Sequence, residues 1–183
     1  MVKIKNFNLD ECFEHFEKAY KLNQMNRFST EYHVHDESVS SHSFYVTLFV
    51  MYLSNYYNFD VDKAMKMAMI HDLPESFISD FPFHIKQENP EIQPFFDQLD
   101  SKYIEFYDKN FFPGSRELID EYNNRETLES LIVYLCDMLS SCLFCITEVT
   151  LGNNYFAKKA KIKYDECVKR IRDIEIKIEQ MEE

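Results

Sequence analysis

Two glycines and five prolines in 183 residues restrict the fold more than any other feature of the chain. Hairpins and tight turns draw heavily on both residue types, so this composition favours helices joined by short loops. The apolar spacing agrees. Cys12, Phe13, Phe16, Ala19 and Tyr20 recur at helical intervals within 9–25, with Asn8 or Asp10 as cap. The period is lost over 26–40 and returns over 41–57 through Phe44, Val46, Leu48, Phe49, Met51, Tyr52 and Leu53. A helix over 61–72, capped by Asp60 or Asp62, places Ala64, Met67, Ala68 and His71 along one face. Pro74 lacks an amide hydrogen and disfavours helical geometry at Leu73, so that helix stops just after His71-Asp72. Residues 75–89 read as irregular. Helices follow over 91–109, after a turn at Pro113-Gly114, over 125–150, and over 155–181 as a charged amphipathic helix. LGNN at 151–154 reads as a helix stop, with Gly152 as the left-handed cap. No repeat, linker or second domain interrupts this series. The expectation is one all-α domain spanning 1–183.

Composition excludes several function classes. No apolar run approaches 18 residues, so no membrane span is expected. The start, MVKIKNFNLDECFEHF, has no apolar signal-peptide core. Cys12, Cys136, Cys142, Cys145 and Cys167 are odd in number and mostly lie in apolar helical text, which points to a reduced, cytoplasmic protein. Cys142 and Cys145 form a CxxC, but mid-helix and without a second pair, so ordinary burial of free thiols is the expectation. The net charge is −12, and the one basic cluster, KKAKIKY at 158–164, is followed by acids. A nucleic-acid polymer is therefore not an expected partner. An anionic substrate would require a metal or a few placed cations to offset the chain's own field.

Ala68-Met69-Ile70-His71-Asp72-Leu73-Pro74-Glu75-Ser76 is the most informative stretch. An apolar helical run ends in three titratable groups within five residues. Neighbouring helical residues point about 100° apart. His71 and Asp72 can still share one ion lying beyond the helix end, and an imidazole with a carboxylate suits Mn, Fe, Co or Zn. Further ligands must come from elsewhere. His42 opens the second helix, and Asp137 is one carboxylate among large apolar residues in VYLCDMLSSC. A buried carboxylate needs a neutralising partner, which a metal or an arginine can supply. The order His…His-Asp…Asp is far stronger than any one of these residues alone.

That order resembles the metal-binding signature of the HD-domain phosphohydrolases. Asn26-Arg27-Phe28, then SVSSHS containing His42, then HDLPESFISDFPFHIK, then LGNNYF, resemble the bacterial 5′-deoxynucleotidase family and its phage relatives over about 23–156. The resemblance implies an HD-domain helical bundle with His42, His71, Asp72 and Asp137 as ligands of one divalent ion: Co, Mn, Fe or Zn, with Mg as a further option. Such an ion lowers the pKa of water and neutralises phosphate charge. Glu75 matches the family's essential acid. Asp80 matches an aspartate that positions catalysis or sugar. Arg27 matches the phosphate-holding residue, Phe28 the aromatic that shapes the sugar site, and Lys86 a lysine that faces the phosphate.

The implied activity is removal of the 5′-phosphate from (deoxy)nucleoside monophosphates, in a family that is often homodimeric. An alternative with the same site is a deoxynucleoside triphosphohydrolase, for example on dATP, releasing tripolyphosphate. A triphosphate needs more cations than Arg27 and Lys86; Lys102, Lys109 and Arg116 are not placed by the sequence. A remoter alternative is a non-catalytic nucleotide-binding HD protein, against which Glu75 and the complete ligand set argue. The chain departs from the family at Ser41, where Glu is common, with Glu37 as a replacement in reach. It departs again at Phe28, where the family has Trp, and at Ser79, where it has Gly. His33 and His35 have no counterpart in the resemblance, and exposed loop histidines rather than a second metal pair are the expectation; His84 sits near the site loop, where contact with substrate and no role are equally good readings.

Overall fold

The computed structural model describes residues 7–78 and 89–182, and among these there is no strand. The only pairing of extended backbone among them is an isolated antiparallel bridge between Asn26 and Ser38. The fold is all-α. In chain order the helices are α1 (Leu9–Tyr20), α2 (Val39–Leu53), α3 (Val61–Ile70), α4 (Glu75–Ile78), α5 (Gln93–Asn110), α6 (Ser115–Asn124), α7 (Leu128–Thr150) and α8 (Ala157–Glu182).

Local chemistry sets the boundaries. Asn8 caps α1 and Asp60 caps α3, each by accepting backbone N–H groups of the first turn. α1 ends at Tyr20 and tightens into a 3₁₀ turn over Lys21–Gln24, short of the expected end at 25. α2 begins at Val39 rather than 41, because Ser38 accepts the Ser41 amide. α7 begins at Leu128 rather than 125. Arg125 is left-handed (φ 56°), and Thr127 and Ser130 cap the helix reciprocally. The stretch after Pro74, expected to be irregular, opens with the short helix α4. Proline ends one helix yet suits the entry of the next, and the Phe77 amide donates to the Pro74 carbonyl. Gly152 has φ 93°, as its reading as a left-handed cap requires.

α7 is the central helix and packs against α2, α3, α6 and α8. Val46, Met67, Ile132, Leu135, Cys136 and Ile174 form the middle of the main core. By length and composition α7 can cross a membrane, contrary to the expectation that no run is long enough. Its most apolar stretch has a mean hydropathy of 1.8, but 61% of it is buried within the bundle, as in the core helix of a water-soluble protein. Cys136, Cys142, Cys145 and Cys167 are buried and free. Burial raises their thiol pKa values, to about 11 at Cys145 and about 12 at Cys167, so the CxxC is packing.

Candidate metal centre

Three helices bring the polar groups together. His42 lies in the first turn of α2 and is fully buried. His71 is the C-cap of α3, so its side chain and that of Asp72 emerge where the helix opens. Asp137 lies midway along α7. One ligand atom each from His42, His71 and Asp72 lies within 4.8 Å of the others. His71 Nε2 is 3.2 Å from Asp72 Oδ2, and His42 Nε2 is 3.7 Å from the same oxygen. Asp137 joins through His42, with Oδ1 3.1 Å from Nε2.

The His71 imidazole is prepared for a cation. His71 Nδ1 donates to the Ala68 carbonyl oxygen at 2.7 Å, which leaves the lone pair on Nε2. His42 Nδ1 is 2.9 Å from Ser140 Oγ and 2.6 Å from Arg27 Nη1. Both Nε2 atoms are buried without a hydrogen-bond partner. Buried polar atoms are rarely left so, and two imidazole nitrogens beside carboxylates form a donor set that fits a divalent transition metal. Burial, and then the Arg27 charge, lower the His42 pKa and keep the ring neutral, as a ligand must be. Burial alone would raise the Asp137 pKa. The contact with the His42 ring, and then the Arg27 charge, outweigh it and hold Asp137 ionised. Tyr122 donates to Asp137 Oδ2 at 3.0 Å and meets the His71 ring edge-on at 5.2 Å.

Arg27 stands beside this cluster. It donates to Glu37 Oε2 at 2.9 Å and to Ser141 Oγ at 3.0 Å, and its Nη2 is 3.9 Å from Asp137 Oδ1. Glu37 thus reaches the site from the loop, whereas Ser41 turns back to hydrogen-bond Ser38. Phe28 stacks on Phe144, with centroids 4.4 Å apart and planes at 4°, and the Arg27 guanidinium lies 5.4 Å from its ring centroid. Phe28 has φ 55°, a conformation a bulky residue adopts only when its surroundings enforce it. Glu75 opens α4, its amide bonded to the Asp72 carbonyl. Ser79, Asp80, His84 and Lys86 lie outside the described residues.

His33 and His35 do not form a metal pair. His33 bonds Asp36 and the Glu31 carbonyl, and the Asp36 contact raises its pKa. His35 Nδ1 lies 2.6 Å from Oε1 of Glu148, a fully buried carboxylate that sequence reasoning passed over. Its signal was the one used for Asp137, a lone carboxylate in apolar helical text, here CITEVT.

The chain is similar to known proteins over most of its length. The family described as YfbR-like 5′-deoxynucleotidase matches residues 14–180. A 5′-deoxynucleotidase of Yersinia pestis (strain Pestoides F) is 30% identical over 159 residues, covering 81% of this chain and 80% of its own. An HD-domain phosphohydrolase of Listeria innocua has the same fold, with a TM-score of 0.72 and 20% identity over 89% of this chain and 82% of its own. The cyanophage S-2L HD phosphohydrolase DatZ, solved with dA and one catalytic Zn²⁺, aligns with a TM-score of 0.55 and 16% identity over 94% of this chain and 99% of its own.

Proposed function

Because the chain belongs to the YfbR-like 5′-deoxynucleotidase family and is a metal-dependent nucleotide phosphohydrolase, we propose that it cleaves the 5′-phosphate from deoxynucleoside monophosphates at the His42–His71–Asp72–Asp137 cluster. The observation that carries this reading is the pair of buried Nε2 atoms, neither in a hydrogen bond, that face the Asp72 and Asp137 carboxylates.

His42, His71, Asp72 and Asp137 would hold one Mn, Fe, Co or Zn ion, with Mg as a weaker fit to two imidazoles. When bound, the ion supplies Lewis-acid activation of water and charge neutralisation at the phosphoryl group. The residues of the chain do the rest. Arg27 presents a planar two-pronged donor to phosphoryl oxygens, held in place by Glu37 and Ser141. Glu75, three residues after Asp72, handles the proton that leaves the attacking water. Asp80 and Lys86 complete the substrate contacts, at the sugar and the phosphate respectively. Phe28 borders the sugar beside Arg27. The chain acts as one cytoplasmic domain and as a homodimer, with no nucleic-acid polymer as partner. The exposed apolar face of α2, formed by Phe44, Tyr45, Leu48, Met51 and Tyr52, supports the dimer.

The test is a panel of ribo- and deoxynucleoside mono-, di- and triphosphates with Mn²⁺, Co²⁺ or Mg²⁺, read as orthophosphate against tripolyphosphate. Orthophosphate from dAMP-type substrates is expected. Tripolyphosphate from a triphosphate would replace this reading with a triphosphohydrolase.

A further inference from the structure

Glu148 has no place in the chemistry above, yet it is a buried carboxylate with a dense set of hydrogen bonds. Its two oxygens accept from the Val34 amide at 3.0 and 2.8 Å and from the His35 amide at 3.0 Å. They also take the His35 ring at 2.6 Å and the Asn153 side-chain amide at 2.6 Å. The same Asn153 amide group donates to the Tyr32 carbonyl oxygen at 2.7 Å. One buried anion and one asparagine at the C-terminal end of α7 therefore pin the backbone over 32–35. That backbone belongs to the loop that carries Arg27.

The loop meets α7 in register. Along α7, Ser141 receives Arg27, Phe144 receives Phe28 and His35, and Glu148 receives His35. These positions follow one helical stripe that starts at Asp137. Phe144 is buried, with Phe28 stacked at 4.4 Å and His35 at 4.6 Å. The loop's near end is tied by the Asn26–Ser38 bridge and by the Arg27 amide bonded to the Glu37 carbonyl. Its far end is tied by Glu148. Between them Phe28 sits in left-handed backbone, which needs firm anchors to persist.

We infer that Glu148 is a positioning residue for substrate phosphate: through the Val34 and His35 clamp it holds the 26–38 loop against α7, so that Arg27 is aimed beside the metal cluster. The inference rests on the reading of Arg27 as the phosphate-binding residue. Among the described residues Glu148 makes no hydrogen bond or ion pair with His42, His71, Asp72 or Asp137; its bonds run to the loop backbone, the His35 ring and Asn153.

The experiment is a double-mutant cycle on the metal-loaded enzyme with a deoxynucleoside monophosphate, using Glu148→Gln, Arg27→Ala and the pair. Glu148→Gln keeps the size of the side chain. It should raise KM by roughly 10-fold or more, while metal affinity falls by less than the roughly 10- to 100-fold usual when a ligand's own supporting partner is removed. Arg27→Ala should raise KM as well, and adding Glu148→Gln to it should change KM no further. His35→Ala, at a half-exposed loop position, should reproduce part of the effect and serves if Glu148→Gln fails to fold. Additive effects of the two substitutions, or a lower melting temperature with KM unchanged, would overturn the positioning role. An Arg27→Ala enzyme with wild-type KM would overturn the phosphate reading of Arg27, and this inference with it.

Discussion

His71 Nδ1 donates to the Ala68 carbonyl oxygen at 2.7 Å, one turn back in the same helix. That bond sets the tautomer, so the other ring nitrogen faces the cluster with a lone pair. Its hydrogen-bonding capacity is unmet in a buried site. His71→Ala should therefore lower affinity for Mn²⁺ by more than about 100-fold, beyond the loss usual for groups that merely support a ligand. Calorimetric titration of the apo-protein checks this. An affinity within a few-fold of wild type would remove His71 from the ligand set.

Glu75→Ala should abolish most turnover and leave metal binding nearly intact. Glu75 begins α4 immediately after the ligand-bearing turn, and it is assigned a proton-handling role rather than a ligand role. A general acid–base group contributes about 10²–10⁴-fold. Single-turnover kinetics beside a metal titration separate the two effects. A variant keeping more than about a tenth of the rate falls outside that range and moves the proton handling elsewhere, with Asp80 the next candidate.

Phe28→Trp should widen the preference for deoxyribonucleotides. One face of Phe28 is taken by Phe144, and the ring lies beside Arg27, so a larger indole extends the apolar wall where the sugar is expected. A hydroxyl buried there without a partner costs roughly 1–3 kcal/mol. The ratio of kcat/KM for dAMP and AMP, measured for both proteins, is the check. An unchanged or smaller ratio means that residue 28 does not read the sugar.

Glu148 should make the fold sensitive to acid. Burial alone would raise its pKa. The His35 amide, the Asn153 side chain, the Val34 amide and the His35 ring together bring it from 4.5 to about 2. A carboxyl with a depressed folded-state pKa stabilises the protein above its unfolded-state value, and that stability is lost as pH falls through the folded value. Wild-type stability should therefore decline between pH 4.5 and about 2 more steeply than that of Glu148→Gln. Denaturant melts across that window decide it, and parallel curves would contradict the clamp.

The ligand set was legible because each member breaks a local rule. His71 and Asp72 end an apolar helix before a proline, and Asp137 interrupts an apolar one. The helices were legible from period and caps, with errors where a cap outweighed the period, as at Ser38 and Thr127. α4 was missed because a proline read as a breaker also starts a helix. The anchoring of the 26–38 loop was not legible. Val34 and Glu148 are 114 positions apart, and nothing in the local text of either names the other. Glu37 was within view as a replacement for the family's glutamate. Ser140 and Ser141 were not, since a serine inside a helix has no distinctive pattern until its neighbour is known.

Anomalous diffraction from crystals soaked in Mn²⁺ tests the central claim most directly. The account predicts one strong peak about 2.0–2.3 Å from His42 Nε2, His71 Nε2 and carboxylate oxygens of Asp72 and Asp137. A peak elsewhere, or an occupied site from which Asp137 stays withdrawn and paired with Arg27, would contradict it.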